Sequence, residues 1–127
     1  MLLETVQSID SKDTPSLAPD DRPIDLVHLA RTTFGDRALE REVLQLFDRQ
    51  ATILIARMRT ATPAAVAALA HTLKGSARGI GAWRVARAAE LLEQAGASGK
   101  ETAGVLDGLA AASDEARGVI AELLRAN

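Results

Sequence analysis

From Asp25 onward, apolar residues recur at spacings of three and four, the period of a helix with one buried face. Asp25 stands at an N-cap position ahead of a short helix that carries Leu26, Leu29 and Ala30 and ends near Gly35. Asp36 then caps a long helix to about Met58. Its apolar line is Leu39, Val43, Leu46, Phe47, Leu54, Ile55 and Met58, and Arg37, Glu40, Arg41, Asp48 and Arg49 mostly occupy the other side. Thr62-Pro63 starts the next long helix, with threonine at the cap and proline at the first helical position. Gly79 and Gly81, so close together, are expected to end or weaken it. A fourth helix is expected from about Ala82 to Ala95, with Val85, Ala89 and Leu92 as its core line and Glu90 and Glu93 outside. Gly96 to Gly99 reads as a loop. The last helix begins near Thr102 and carries Val105, Leu106, Leu109, Val119, Ile120, Leu123 and Leu124, with a candidate break at the capping residues Ser113-Asp114.

Four long amphipathic helices joined by short loops predict an all-α fold, an antiparallel up-down four-helix bundle with a short additional N-terminal helix. No strand pattern competes with it. Residues 1–23 hold Pro15, Pro19 and Pro23 among Ser, Asp and Lys, and read as a flexible N-terminal arm with a candidate helical turn at residues 2–9. The helical domain is expected at residues 24–127.

Composition agrees with helices. Alanine and leucine abound, while aromatics are limited to Phe34, Phe47 and Trp83. The formal net charge of −2 argues against nucleic acid as a partner. With no cysteine there is no disulfide framework and no thiolate metal site. No signal-peptide run and no apolar stretch of about 20 residues is present, so the protein reads as soluble and cytoplasmic, with no membrane partner.

The candidate chemistry lies in residues 69–82. At about 100° per residue, His71, Lys74, Gly75 and Arg78 share one helix face, extended by Ala64, Ala67, Ala68 and Ala82. Val66, Leu69, Leu73 and Ile80 share the other. An imidazole, neutral and nucleophilic at cellular pH, is thus displayed among small and basic residues. Gly75 on that face adds nothing to a core and costs helix stability, so its use is to let another protein come close. The helical neighbours of His71 are Ala67, Ala68, Lys74 and Gly75, with no carboxylate for a triad and no second ligand for a metal. The chain also lacks a Gly-rich phosphate loop. Whatever His71 reacts with must come from a partner. His28, a lone helical histidine, reads as a packing or surface residue.

These residues resemble the histidine-containing phosphotransfer (HPt) domains of multistep two-component phosphorelays. The resemblance rests on Ala70-His71-Thr72-Leu73-Lys74-Gly75-Ser76-Ala77, on Ile80-Gly81-Ala82, and on Ala89-Glu90-Leu91-Leu92-Glu93. Asp25-Leu26 through Leu29, Gly35-Asp36 and Glu42 to Phe47 extend it upstream, so that it covers about residues 24–125. It implies that His71 is the phosphoacceptor, that Lys74 stabilises the phosphoryl group and that Gly75 gives a receiver domain access. Ala64, Ala67, Ala68, Lys74, Gly75 and Arg78 are the expected partner-facing residues. The implied partners are response-regulator receiver domains and hybrid histidine kinases, with this chain a monomeric phosphocarrier that has no autokinase activity. No cofactor is expected in the chain itself, the Mg²⁺ being the receiver's.

Two other readings compete. One is a non-phosphorylated helical adaptor or inhibitor, against which the retention of His71 with Lys74 and Gly75 stands. The other is a dimeric histidine-kinase-type scaffold, whose motif places an acid after the histidine where this chain has Thr72. The starting methionine and a helix running to Asn127 lead to the expectation of a free-standing protein.

Overall fold

A computed structural model of the chain describes residues 22–126. The arm expected over residues 1–23, with its candidate turn at residues 2–9, lies outside the described residues apart from its last two. Among the described residues there are five helices and no strand: α1 (Leu26–Thr32), α2 (Arg37–Met58), α3 (Pro63–Ile80), α4 (Trp83–Ala97) and α5 (Ala103–Ala126). Helices α2 to α5 each pack on the next, α5 closes back on α2, and α1 leans on α3. This is the helical bundle with a short N-terminal helix that the periodicity predicts.

Local chemistry sets the helix ends. Asp25 accepts from the His28 backbone N–H, Asp36 from Leu39 and Thr62 from Ala65, so all three expected side-chain caps form. α3 continues through Gly79 and ends at Ile80. Gly81 is left-handed (φ 79°) and the Ala82 N–H reaches back to the Ala77 carbonyl at 2.8 Å, a closing turn that glycine adopts without strain. A side chain is excluded at Gly81 on a second count, since a Cβ there would stand 2.9 Å from the Asp25 carbonyl oxygen.

The core runs through all four long helices. It takes Leu44, Phe47, Ala51, Leu54 and Met58 from α2, and Val66, Ala70, Leu73, Ala77 and Ile80 from α3. Val85, Ala86, Ala89 and Leu92 join from α4, and Leu106, Leu109, Ala116 and Ile120 from α5. Each large member contributes about 1.5–3 kcal/mol by leaving water.

Four expectations need correction. Leu46 is 52% exposed, because the buried stride on α2 runs Leu44–Phe47–Ala51–Leu54–Met58 and Leu46 falls outside it. α4 extends through Gly96 to Ala97, because Gly96 is a helix-packing position: a Cβ there would meet the Pro63 carbonyl oxygen of α3 at 2.6 Å. α5 does not break at Ser113-Asp114. Ser113 is buried in mid-helix, with no hydrogen-bond partner for its Oγ among the described residues. Ala82 is fully buried and lies beyond the end of α3, so it does not extend the His71 face.

Candidate functional site

The site is built on the middle of α3 and completed by α4. Burial of Leu73 and Ala77 fixes the rotation of α3, and this leaves His71 on the outside with two-thirds of its side chain (66%) in solvent. The close contact of Gly96 with Pro63 and Ala67 brings the far end of α4 against the start of α3. With the tight turn at Gly81, this sets the register that lays Glu93 beside His71.

Glu93 bridges two residues of the phosphotransfer-like motif. Its Oε2 is 2.9 Å from His71 Nδ1, and its Oε1 accepts from Lys74 Nζ at 2.7 Å. The hydrogen bond from Lys74 is the main reason the Glu93 carboxyl lies below its ordinary range. The bond from His71 adds to it, and partial desolvation opposes both. An ionised carboxylate can only accept, so His71 Nδ1 donates its proton. In the neutral ring the lone pair then sits on Nε2, the nitrogen without a partner among the described residues. The bridge therefore selects which nitrogen reacts. Lys74 is largely covered (14% exposed), with its ammonium held by Glu93.

Sequence reasoning gave Glu93 no role. The signal for it was its place directly after the buried Leu92, within the Leu-Glu pair of the resemblance, but contact with His71 crosses 22 residues and a turn.

The other expected site residues divide. Gly75 is exposed, and a Cβ on it would meet nothing within 4 Å, so no packing among the described residues requires a glycine there. Ala64 and Ala68 are also on the outer surface. Ala67 is half-buried and turns toward Gly96 of α4. Arg78 is half-exposed, its guanidinium 3.7 Å from Glu90 of α4. On the opposite flank of α3, an open groove of roughly 410 Å³ runs between α2 and α3 and is lined by Val43, Leu46, Phe47, Gln50, Ser76 and Ile80. Leu46 on its rim and Ile53 further along α2 are both exposed, Ile53 in a hollow shared with Arg117 of α5.

His28 occupies a different setting at the C-terminal end of α3. Its Nε2–H donates to the Arg78 carbonyl at 2.9 Å, and its ring lies against Trp83 at 4.9 Å between centroids. The Trp83 indole N–H donates to Asp25 at 2.9 Å and holds that carboxyl below its ordinary range, with help from the His28 backbone N–H and against partial desolvation. This corner fastens α1 to the α3–α4 turn.

Among the described residues, no three metal-ligating side chains gather in one place. No helix among them is long and apolar enough to cross a membrane. Comparison with protein families finds that the model of the Hpt domain matches residues 42–126, the span from α2 to the end of α5. No curated protein and no solved structure gave a match.

Proposed function

The chain belongs to the Hpt domain family, whose members are phosphocarriers in two-component phosphorelays, and we propose that it relays a phosphoryl group between aspartates of receiver domains through a phosphohistidine at His71. The functional domain in this reading spans residues 24–127. The observation that carries the proposal is the Glu93 bridge, which holds the Nδ1 proton of an exposed imidazole and leaves Nε2 free.

The transfer is a displacement at phosphorus. The Nε2 lone pair forms the new bond while the bond from phosphorus to the aspartyl oxygen breaks, and that electron pair leaves with the carboxylate. The ring keeps its Nδ1 proton, becomes a phosphoimidazolium and faces the negative charge of Glu93. A second receiver reverses the step: its aspartate oxygen attacks phosphorus, the N–P bond breaks and the pair returns to Nε2. Catalysis of this kind is mostly positioning and charge stabilisation. Glu93 supplies the positioning, and Lys74 places a positive charge one turn from the transferred group. The Mg²⁺ of the reaction belongs to the receiver in this reading, and no cofactor is assigned to this chain.

Receiver docking is assigned to the outer face of α3 at Ala64, Ala68 and Gly75, continued by Leu46 and Ile53 on α2. The absence of a side chain at Gly75 leaves the partner room beside His71. The test is incubation with a phosphorylated receiver. His28→Gln should accept label as the unmodified chain does, and His71→Gln should accept none. Label on His71→Gln overturns the assignment. Binding without transfer by the unmodified chain to every cognate receiver favours the adaptor reading.

A further inference from the structure

The two flanks of α3 treat their charges differently. Toward α4 the charges are committed within the chain: Lys74 to Glu93, Arg78 to Glu90 and Arg84 to Glu115. On the outer face of α2 they are not. Glu42, Arg49 and Arg57 are exposed and have no hydrogen bond or ion pair among the described residues. At 100° per residue they share an arc of about 80° with Leu46 and Ile53. These two are the large apolar side chains that α2 leaves half-exposed.

Along the helix the order is Glu42, Leu46, Arg49, Ile53, Arg57, a stripe about 22 Å long. Each apolar residue borders a hollow. Leu46 borders the groove shared with Ser76 and Ile80 of α3, and Ile53 a smaller one, of roughly 260 Å³, shared with Arg49 and with Arg117 of α5. Free charges on a solvated helix are ordinary. Two half-exposed aliphatic residues set between them, each beside a concavity, have the make-up of a recognition surface. Its apolar centre excludes water, and its rim charges steer and select the partner.

The stripe continues the His71 site. Ser76, which follows Gly75, lines the groove together with Leu46 and Gln50. Residues 59–62 join α2 to α3, so Arg57 stands toward the Ala64 end of α3. Val43, next to Glu42, shares the groove with Ile80 at the other end. A partner that covers Gly75 and Leu46 together meets the α2 charges in a fixed order.

We propose that Glu42, Arg49 and Arg57 select among receiver domains, and that the receiver accepted carries an apolar ridge with acidic side chains opposite the two arginines and a basic one opposite Glu42. The proposal rests on His71 being the phosphoacceptor and on receivers docking across α3. Two arginines against one glutamate make the stripe net positive on a chain whose formal charge is −2. An acidic partner surface is thus drawn to this face and not to the molecule at large.

The test uses the full chain loaded with phosphoramidate: the Nε2 lone pair bonds to phosphorus as the P–N bond breaks and ammonia leaves. Transfer to the receiver that drains the unmodified chain fastest, with Mg²⁺ supplied, is then followed at rising receiver concentration. Arg49→Glu/Arg57→Glu should raise the receiver concentration for half-maximal rate about tenfold and leave the saturating rate within about twofold. The neutral Arg49→Gln/Arg57→Gln should fall between, and raised salt should narrow the gap among the three chains. Glu42→Arg should act in the same direction, by about threefold. Across a panel of receivers, the double reversal should move the order of preference toward those with basic surfaces.

Equal half-maximal concentrations for the unmodified chain and the double reversal overturn the proposal. So does an effect confined to the saturating rate, or one that salt does not diminish. Dimerisation of the unmodified chain that Ile53→Asp abolishes would assign the face to a second copy and overturn it as well. The phosphoacceptor reading fails separately. Label passing to the receiver from His71→Gln, or no transfer from the unmodified chain to any receiver, overturns that reading itself. Transfer intact in the unmodified chain, with the α2 variants without effect, overturns only the role of these charges.

Discussion

The chain carries two histidines, each on a helix and each hydrogen-bonded, and they differ in which ring nitrogen is held. At His28 the Nε2–H donates to a backbone carbonyl and the ring lies against Trp83, so its outer nitrogen is used in fastening α1. At His71 it is Nδ1 that is held, by a carboxylate, and Nε2 of a side chain two-thirds in solvent has no partner among the described residues. The first arrangement consumes the reactive end of the ring, and the second presents it. Exposure alone does not separate a structural imidazole from a chemical one. The partner of the inner nitrogen does, because it fixes the tautomer.

The largest expected effect is on the His28 corner. Gly81→Ala forces a side chain into a left-handed turn and against Asp25, and should cost about 3 kcal/mol in denaturant unfolding. The molecules that remain folded should still accept phosphate at His71. Loss of acceptance without loss of stability would show that the two regions are not separable in this way.

Removing the bridge at the other histidine should act on rate. Glu93→Ala frees the Nδ1 proton and leaves the covered Lys74 without its partner, and should slow phosphoryl uptake about 10- to 100-fold, the effect of losing a charge-assisted hydrogen bond. Glu93→Gln, whose amide oxygen still accepts from Nδ1, should recover most of the rate in single-turnover transfer. Equal rates for Glu93→Ala and the unmodified chain would remove the bridge from the mechanism.

Gly75→Gln places a side chain in open space on a helix. It should raise stability by about 0.5–1 kcal/mol and still slow transfer from a receiver severalfold, an opposition that parallel unfolding and transfer measurements would reveal. Unimpaired transfer would leave Gly75 without a function.

The smallest effect concerns pH. Asp25 in one corner and Glu93 in the other are both held below their ordinary values of 3.8 and 4.5. A carboxylate with a lowered folded value contributes stability that is complete above its unfolded value and is lost as pH falls through the folded one. Stability should therefore decline from about pH 4.5 downward. Asp25→Asn and Glu93→Gln should each flatten that decline in unfolding curves taken at successive pH values.

How legible the two regions were in the sequence differed for a physical reason. Asp25, Asp36 and Thr62 cap their helices through contacts three residues away, so a single stretch of sequence contains cause and effect. The rotation of α3 was equally readable, since Leu73 and His71 belong to one periodic pattern. On α2 the spacing admitted both Leu46 and Leu44, and only the position of the neighbouring helices decides which is buried. Extending the His71 face to Ala82 carried a helical angle past the point where Gly81 ends the helix. The Glu93 bridge depends on two helices meeting in register, which Gly81 and Gly96 set by letting backbones approach. Neither glycine announces that spacing in isolation.

The most direct measurement is the identity of the phosphorylated atom. The full chain, labelled with ¹⁵N in its histidines, can be loaded from a phosphorylated receiver and read by phosphorus–nitrogen coupling. Coupling to Nε2 of His71, with His28 unchanged, is the expected result, because Glu93 occupies Nδ1. Coupling to Nδ1 of His71, or to either nitrogen of His28, would contradict it.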